Sequence, residues 1–321
     1  MKIAMIYSQA FPKFSDELMS KIKDTAVGAA ITEVYQDDFT VEDIIDSDVV
    51  FGRLDPQILK SLPNLKWYHL FTAGADGMTD ISLYANKSVI LTRSSGTYGI
   101  PIAEYIIGMM IAVSRRFGFY YEKQREGLWS WGDNQDMLDI YGSTVLVLGL
   151  GDIGTEVCRR LSAFNCNIIG IRRNASKPHE LVKDVRPLSQ LKESLIEADY
   201  VIICTPGTEK TTKLFGEEEF KLMKKRAIIV NVGRGSAIDS NALVTALHEG
   251  EIAGVGLDVT DPEPLPSDHP LWSAPNILIT PHVSPLTPII VERRAMIFID
   301  LLQRYINGDE MYNKVDFTEG Y

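Results

Sequence analysis

The sequence has few cysteines and no surplus of positive charge. Its three cysteines, Cys158, Cys166 and Cys204, lie in apolar segments without C-x-x-C spacing. This pattern argues against a disulfide framework and favours buried, reduced thiols in a cytoplasmic protein. The formal net charge of -11 argues against general binding to nucleic acid or to anionic membranes, because attraction to phosphate requires a positive surface.

Long hydrophobic runs are also missing. No uninterrupted apolar run approaches the ~18 residues that a membrane-spanning helix needs. The apolar stretch at the amino terminus soon meets Pro12 and charged residues, and it is too short for the core of a signal peptide. We therefore expect a cytoplasmic protein that binds neither membrane nor nucleic acid. The sequence contains no pattern that predicts a metal site.

The composition is that of a globular chain. Its 321 residues, 45% hydrophobic and 23% charged, are enough for two α/β domains. The N-terminal part alternates strand-like apolar runs with helix-like segments, which predicts parallel strands joined by crossover helices. A second alternation begins at Ser143, and its continuous apolar runs are typical of a parallel sheet covered on both faces. Between them, residues 101–129 predict a long helical stretch that suits burial between domains or in a subunit interface.

A glycine-rich turn follows the first strand of the second alternation. In VLVLGLGDIGTEV, Gly149, Gly151 and Gly154 form the pattern G-x-G-x-x-G between an apolar run and a helical pattern. The first glycine permits a tight turn, the second lets the backbone approach a pyrophosphate, and the third lets helix and strand pack closely. The helix start, which includes Asp152 and Ile153, offers N–H groups and a positive dipole end to an anion. This context favours a dinucleotide-binding turn over an ordinary strand–helix turn.

Two arginines stand where this kind of turn usually has an acidic residue. In IIGIRRNAS, Arg172 and Arg173 end the next strand-like run. An acidic residue there would accept bonds from the ribose hydroxyls and repel a 2′-phosphate, whereas a guanidinium is suited to bind that phosphate. The pair therefore predicts NADP as the preferred cofactor, with NAD possible. The alternative is that both arginines are solvated loop residues.

Polar residues follow the later strands in the same way. Arg234 comes after one strand-like run, Asp258 and Glu263 after the next, and His282 after the last. Ligands bind beyond the carboxyl ends of strands in open α/β sheets. Taken singly, Arg234 is also explained as a turn arginine, Glu263 as a solvated loop acid, and His282 as a hydrogen-bonded loop histidine. Together they supply a guanidinium for a carboxylate or keto oxygen, a proton donor near neutral pH, and a carboxylate that orients it.

The order of these motifs resembles that of the D-2-hydroxyacid dehydrogenase family over nearly the whole chain. The resemblance is carried by LGLGDIGTEV, TPGTEKT, NVGRGSAID, GLDVTDPEPLP and PHVSPLT, where the last differs from the family's frequent PHxGSxT. It implies that Arg234 binds substrate, that His282 is the acid–base residue, and that Glu263 pairs with it.

The resemblance also implies cofactor and substrate contacts. Asp258 would contact the nicotinamide amide, and Thr205 and Pro206 would lie at the cofactor. The loop TAGAD matches a family loop whose backbone amides hold the substrate carboxylate. The candidate residues of that loop are Ala73, Gly74 and Ala75.

The family fold has two Rossmann-like domains with parallel sheets. By resemblance, residues 1–98 and 288–321 would form a discontinuous substrate-binding domain around a dinucleotide-binding domain of residues 99–287, with the active site in the cleft between them. Trp67, Tyr98 and Trp131 are expected to shape the pocket for the substrate's side chain. The arginine pair and the closing VDFTEGY are most similar to the NADPH-linked glyoxylate/hydroxypyruvate reductases. Family members are usually homodimers, joined through the helix and arm after Pro101.

Three alternative functions stay open. A phosphoglycerate-dehydrogenase-like NAD enzyme is disfavoured because no regulatory domain is appended. A formate-dehydrogenase-like activity is disfavoured because that group has a glutamine at the place of Glu263. A nucleotide-sensing protein, like the corepressors that share this fold, should bind cofactor yet turn over keto acids poorly. The physiological substrate, whether glyoxylate, hydroxypyruvate, pyruvate or a bulkier 2-keto acid, is not fixed by the sequence.

Overall fold

The computed structural model describes residues 1–8, 11–132 and 137–318. The chain divides into two compact units. Unit 1 comprises Met1–Tyr98 and Thr287–Tyr321, and unit 2 comprises Gly99–Leu286.

Parallel strands alternate with helices in both units. The strands are Lys2–Tyr7 (β1), Ala30–Tyr35 (β2), Val49–Gly52 (β3), Trp67–Leu70 (β4), Ile90–Arg93 (β5), Thr144–Leu148 (β6), Asn167–Ile171 (β7), Asp184–Arg186 (β8), Tyr200–Ile203 (β9), Ile228–Asn231 (β10), Gly254–Leu257 (β11) and Ile277–Ile279 (β12). The helices are Asp16–Thr25 (α1), Val41–Ile44 (α2), Gly99–Ser114 (α3), Phe117–Arg125 (α4), Asp152–Ser162 (α5), Leu191–Glu197 (α6), Glu217–Leu222 (α7), Ser240–His248 (α8) and Ile289–Asn307 (α9).

Unit 1 is built on a five-stranded parallel sheet in the order β2-β1-β3-β4-β5. Helix α1 begins where the Ser15 side chain accepts a hydrogen bond from the N–H of Leu18, which satisfies one of the unpaired donors of the first turn. Helices α1 and α9 cover one face of the sheet, where Phe298 and Trp67 belong to the same buried cluster. The carboxyl end of β4 leads directly into the TAGAD loop.

Unit 2 has a seven-stranded parallel sheet in the order β12-β11-β10-β9-β6-β7-β8. Chain order runs outward in opposite directions from the adjacent strands β6 and β9. The loops that follow these strands therefore diverge and leave a crevice at the carboxyl edge, where α/β sheets bind ligands. This topology and the sheet of unit 1 confirm the predicted α/β class with two parallel sheets.

The structure corrects two details of the element assignment. The stretch 101–129 is not one helix, because α3 ends at Ser114 and α4 begins at Phe117, and Arg116 between them has a φ of 56°. A left-handed residue cannot continue a right-handed helix. Strand β8 was not expected, because its three residues are polar and only partly buried. Such a short edge strand has no apolar periodicity to detect.

The described residues contain no helix that is both long and apolar enough to cross a membrane. They also contain no group of three or more His, Cys, Asp or Glu side chains placed to hold a metal ion. All three cysteines are free thiols. Burial raises the pKa of the Cys158 thiol to about 12, so it is protonated at neutral pH.

Asp199 ties together the amino-terminal ends of neighbouring strands in unit 2. Its carboxylate accepts hydrogen bonds from the Thr144 N–H at 3.0 Å, from Lys224 Nζ at 2.9 Å and from Arg226 Nη2 at 2.8 Å. These groups lie at the start of β6 and just before β10. Burial alone would raise the pKa of the Asp199 carboxyl, but these hydrogen bonds outweigh it and hold the pKa below its usual range.

We expect Asp199→Asn to lower the free energy of unfolding by about 1–3 kcal/mol at pH 7, because the donors around Asp199 lose their charged acceptor. The pKa is lowered in the folded state. The contribution is therefore complete above the unfolded-state pKa of about 3.9 and is lost as the pH falls through the folded-state value. Urea unfolding at pH 7 and pH 3 measures the difference, which should shrink in acid. Asp300→Asn, at an exposed ion pair within α9, is the control. A difference for Asp199→Asn that does not depend on pH would contradict this account.

Candidate active site

His282 and Glu263 form a hydrogen-bonded pair at the carboxyl edge of the unit 2 sheet. His282 follows β12, Glu263 follows β11, and the distance from His282 Nδ1 to Glu263 Oε1 is 2.8 Å. Their side chains are 47% and 42% exposed. A carboxylate only accepts, so Nδ1 carries the hydrogen of this bond, and Nε2 is the nitrogen left to exchange a proton with a substrate.

Asp258 holds the loop that carries His282. The Asp258 side chain is 1% exposed. It accepts hydrogen bonds from Thr280 Oγ1 at 2.6 Å, from the Val283 N–H at 2.9 Å and from the Ser284 N–H at 2.9 Å. The backbone N–H of His282 also donates to the Asp258 carbonyl at 2.8 Å. The carboxylate expected at the nicotinamide amide thus organises the loop after β12, and a direct cofactor contact stays a prediction.

Arg234 lies in a tight loop after β10 that Asn231 closes. Asn231 Oδ1 accepts from the Gly233 N–H at 3.0 Å, and its Nδ2 donates to the Arg234 carbonyl at 2.9 Å. A Cβ atom at Gly235 would lie only 1.9 Å from the Thr260 carbonyl oxygen. The backbone of this loop therefore packs directly against the segment that leads to Glu263.

Three neighbouring loops of unit 2 thus present Arg234, Glu263 and His282. The arrangement offers the Arg234 guanidinium, whose Nη1 donates to the Gly233 carbonyl at 2.7 Å. Its planar set of donors is of the kind that binds a carboxylate or a polarised carbonyl oxygen. The arrangement also offers an imidazole that is oriented by a carboxylate and remains open to solvent. These are the groups needed to bind a small keto acid and to protonate its oxygen.

The predicted glycine turn connects β6 to α5 and leaves room for a ligand. Gly149 has a φ of +94°, and a Cβ at Gly154 would lie 1.9 Å from the Gly149 carbonyl oxygen, whereas a Cβ at Gly151 would meet nothing within 4 Å. Among the described residues, the N–H groups of Gly151, Ile153 and Gly154 have no hydrogen-bond acceptor. Unpaired amides at a helix start are an anion-binding arrangement, and they fit the pyrophosphate of a dinucleotide.

Thr205 and Pro206 follow β9, the strand beside β6. The Thr205 hydroxyl is buried, and it has no hydrogen-bond partner within the described parts of the chain. An orphaned buried hydroxyl is costly unless a ligand satisfies it, so this position also fits a bound cofactor. The Asp152 carboxylate, by contrast, accepts from the Gly99 N–H at 3.0 Å and is engaged with the start of α3.

Arg172 and Arg173 directly follow β7, as predicted, at the same edge of the sheet. Arg172 is partly buried and Arg173 is exposed, and no carboxylate of the described residues forms an ion pair with Arg172. Burial, together with the nearby Arg172 guanidinium, lowers the pKa of His179. His179 Nε2 in turn lies 3.1 Å from Thr155 Oγ1 in the first turn of α5. His179 therefore links the first turn of α5 to the neighbourhood of Arg172.

The TAGAD loop belongs to unit 1 and follows β4. Its residues 73–75, called here the 73–75 loop, have all three carbonyls engaged. Arg93 Nη1 donates to the first at 3.1 Å, Thr72 Oγ1 to the second at 2.6 Å, and the Met78 N–H to the third at 2.9 Å. The three N–H groups of the 73–75 loop find no acceptor among the described residues. This is the pattern expected of a backbone anion site.

Trp67 and Tyr98 do not line a pocket for the substrate's side chain as expected, because both are buried in unit 1. Trp67 is fully buried in the core of unit 1, and its Nε1 donates to Thr92 Oγ1 at 2.8 Å. Tyr98 is 4% exposed. Trp131 is 76% exposed. An aromatic residue near a motif is as easily part of the core as of a pocket, because burial follows from packing and not from sequence position.

Residues 107–284 match the family described as D-isomer specific 2-hydroxyacid dehydrogenase, NAD binding domain. The match covers more than half of the chain and includes the glycine turn, the arginine pair and the Arg234–Glu263–His282 set. The chain belongs to this family.

Curated relatives and solved structures agree with this membership. A glyoxylate reductase of Korarchaeum cryptofilum is 32% identical over 286 residues, which cover 86% of this chain and 85% of the relative. A D-isomer specific 2-hydroxyacid dehydrogenase family protein of Aeromonas salmonicida superposes with a TM-score of 0.85 at 28% identity, covering 98% of this chain and 99% of the other. An NADPH-dependent glyoxylate/hydroxypyruvate reductase of Sinorhizobium meliloti, crystallised with citrate, gives a TM-score of 0.80 at 25% identity, covering 99% of each chain.

The 2-hydroxyacid dehydrogenase is therefore an NAD(P)-dependent oxidoreductase that acts on 2-hydroxy acids. This confirms the family resemblance, the Rossmann-like fold and the enzyme class that the sequence predicts. The individual site assignments are not decided by family membership, and they stay predictions.

Three residues that organise the candidate site were not found from the sequence. Asn231 makes an Asx turn in NVGRG, and its position two residues before a glycine was a usable signal. Thr280 binds the Asp258 carboxylate and Arg93 binds the 73–75 loop. Both act across long sequence separations, which local patterns do not reveal.

Proposed function

We propose that this dehydrogenase reduces a small 2-keto acid to the corresponding D-2-hydroxy acid, with NADPH preferred over NADH. Glyoxylate and hydroxypyruvate are the proposed substrates, because the curated relatives include a glyoxylate reductase and a solved neighbour is an NADPH-dependent glyoxylate/hydroxypyruvate reductase. The observation that carries the proposal is the pairing of His282 with Glu263 at 2.8 Å, beside the loop of Arg234.

The residues have distinct tasks in this proposal. Arg234 binds the substrate carboxylate and polarises the keto oxygen through paired N–H donors. The unpaired N–H groups of Ala73, Gly74 and Ala75 form a second contact for the carboxylate. His282 donates a proton from Nε2 to the developing alkoxide, and Glu263 keeps the ring oriented through its bond to Nδ1.

The cofactor residues are proposed from the same edge of the unit 2 sheet. Gly149, Gly151, Asp152, Ile153 and Gly154 would hold the pyrophosphate, mainly through backbone N–H groups. The further residues proposed to contact the cofactor are Thr205, Pro206 and Asp258, with Arg172 and Arg173 at the 2′-phosphate. When bound, the reduced nicotinamide supplies the hydride.

Two further assignments stay proposals. The exposed aromatic and apolar side chains of the arm after α3, among them Tyr121, Leu128 and Trp129, support a homodimer, because monomers rarely expose such a cluster. The acidic composition and the three free thiols support a cytoplasmic location.

Initial rates with glyoxylate, hydroxypyruvate, pyruvate and phenylpyruvate, each with NADPH and with NADH, test the proposal. We expect the smallest keto acids to be reduced fastest and NADPH to give the higher kcat/KM. Turnover of 3-phosphohydroxypyruvate alone would favour the phosphoglycerate-dehydrogenase alternative. Cofactor binding without turnover of any keto acid would favour a nucleotide-sensing role.

A double substitution tests the cofactor preference separately. Arg172→Asp with Arg173→Ala should reduce the NADPH to NADH preference roughly 10- to 150-fold per lost charge-assisted bond, which corresponds to about 1.5–3 kcal/mol. Lys225→Ala is the matched control, because Lys225 is an exposed cation near the amino-terminal edge of the same sheet. The dissociation constants of both cofactors, measured by fluorescence of the reduced nicotinamide, check the result. An unchanged ratio would mean that the arginines are solvated loop residues.

A further inference from the structure

Arg294 is a buried cation in unit 1 with no anionic partner among the described residues. It lies on α9 and is 4% exposed. Its guanidinium carbon stands 5.0 Å from the ring centre of Phe11, 5.4 Å from that of Phe71 and 5.2 Å from that of Tyr98. No carboxylate among residues 1–8, 11–132 and 137–318 forms an ion pair with it, and its Nη1 is buried without a hydrogen-bond partner.

A buried arginine of this kind lowers the stability of the folded protein. A buried charge without a counter-ion is destabilising even when aromatic faces partly compensate it. Leucine or methionine would fill an aromatic site of this kind without that cost. The retained charge therefore points to a use other than packing.

The contacts of Arg294 lead to the 73–75 loop. Arg294 Nε donates to the Tyr98 hydroxyl at 2.8 Å, and the Tyr98 hydroxyl donates to the Phe71 carbonyl. The direction is fixed because a guanidinium has no acceptor, so the tyrosine hydrogen must go to the carbonyl. Burial raises the pKa of Tyr98, which keeps this donor protonated. A cationic donor also polarises the hydroxyl and strengthens its bond to the carbonyl.

Phe71 is the residue at which β4 passes into the loop. The next carbonyl, that of Thr72, accepts from the Ser94 N–H at 3.0 Å, and the three carbonyls of the 73–75 loop are engaged as described above. Every carbonyl from residue 71 to residue 75 therefore accepts a hydrogen bond. The first three accept from distant segments of unit 1, and those of Gly74 and Ala75 accept from neighbours within or next to the loop. Fixing these carbonyls fixes the peptide planes, and with them the direction of the unpaired N–H groups of the loop.

We propose that Arg294 and Tyr98 are positioning residues for the carboxylate-binding 73–75 loop. Through the Phe71 carbonyl they hold the loop amides in the orientation that receives an anion, and the charge of Arg294 adds positive potential behind them. They touch neither substrate nor cofactor. The proposal rests on the proposed function, in which these amides bind the carboxylate of the keto acid.

Tyr98→Phe tests the proposal because it removes one hydroxyl and keeps the ring. We expect the KM for glyoxylate to rise roughly 5- to 15-fold, the equivalent of one hydrogen bond, while kcat and the dissociation constant of NADPH stay within twofold. Arg294→Lys keeps the charge but loses the planar Nε donor, and we expect it to raise KM in the same way.

Tyr68→Phe is the matched control. Tyr68 is also a buried tyrosine of unit 1, and its hydroxyl accepts a hydrogen bond from the Leu54 N–H at 2.8 Å. Both tyrosine variants should lose a similar amount of thermal stability, but Tyr68→Phe should keep the wild-type KM. An equal KM for Tyr98→Phe and Tyr68→Phe would overturn the proposal.

Binding of oxalate by calorimetry separates this proposal from the proposed function. If the wild type turns over no keto acid but binds oxalate, and Tyr98→Phe weakens that binding 5- to 15-fold, as for one hydrogen bond, the proposed function fails and the positioning proposal holds. If oxalate binds equally to wild type and Tyr98→Phe, or does not bind at all, the positioning proposal fails.

Discussion

Replacing His282 by alanine is expected to lower kcat for keto-acid reduction about 10²- to 10⁴-fold, the usual contribution of a general acid. The imidazole is oriented by the bond from Nδ1 to Glu263, so Nε2 is the atom that delivers the proton. Removing the ring leaves water as the only acid. Cofactor binding should not change, because His282 is not among the residues proposed to hold the dinucleotide.

The pH dependence distinguishes this role from a structural one. In the wild type the rate of a reduction that takes its proton from a side-chain acid should fall towards high pH. In His282→Ala this decrease of the rate towards high pH should be absent. In Glu263→Gln the rate should fall at every pH, because the ring loses the carboxylate that accepts from Nδ1 and orients it. Rates with glyoxylate and NADPH across pH 5–10 measure this.

The control for this experiment is His248→Ala, which removes an exposed histidine at the end of α8 in the same unit. We expect it to keep both the wild-type rate and the wild-type pH profile. An unchanged pH profile in His282→Ala would refute the assignment of His282 as the proton donor.

Arg234→Gln is expected to lower kcat/KM about 10²- to 10⁴-fold, because two charge-assisted hydrogen bonds of about 1.5–3 kcal/mol each are lost. Arg234→Lys should recover only part of this activity, since a single ammonium cannot reproduce two parallel donors. If Arg234 acts mainly on the carboxylate, KM carries most of the change. If it also polarises the keto oxygen in the transition state, kcat falls as well.

Steady-state kinetics with glyoxylate measure both quantities, and Arg159→Gln is the control. Arg159 lies on the exposed side of α5 in the same unit, so its loss changes the net charge equally without touching the loop after β10. Wild-type kinetics in Arg234→Gln would show that this arginine only shapes its turn, which is the alternative interpretation of the sequence.

The strands and the polar residues at their ends could be predicted because both depend on residues that are close together in the sequence. Continuous apolar runs such as that of β6 and the glycine spacing from Gly149 to Gly154 report backbone conformation within a few residues. Arg172, Arg234 and His282 could be placed at one edge of a sheet because the carboxyl ends of parallel strands share that edge. The break of the helix at Arg116 was not predicted, because no neighbouring residue type indicates a left-handed backbone conformation there.

The sequence by itself determined the fold class, the dinucleotide turn and the residue types of the candidate site. Only the tertiary structure decided which of these side chains meet. The pairing of Glu263 with His282, the burial of Asp258 under the loop after β12, and the contact between Tyr98 and Arg294 across 196 positions of sequence depend on how distant segments pack. The physical reason is that local pattern encodes backbone conformation, whereas burial and hydrogen-bond partners are properties of the whole packed chain.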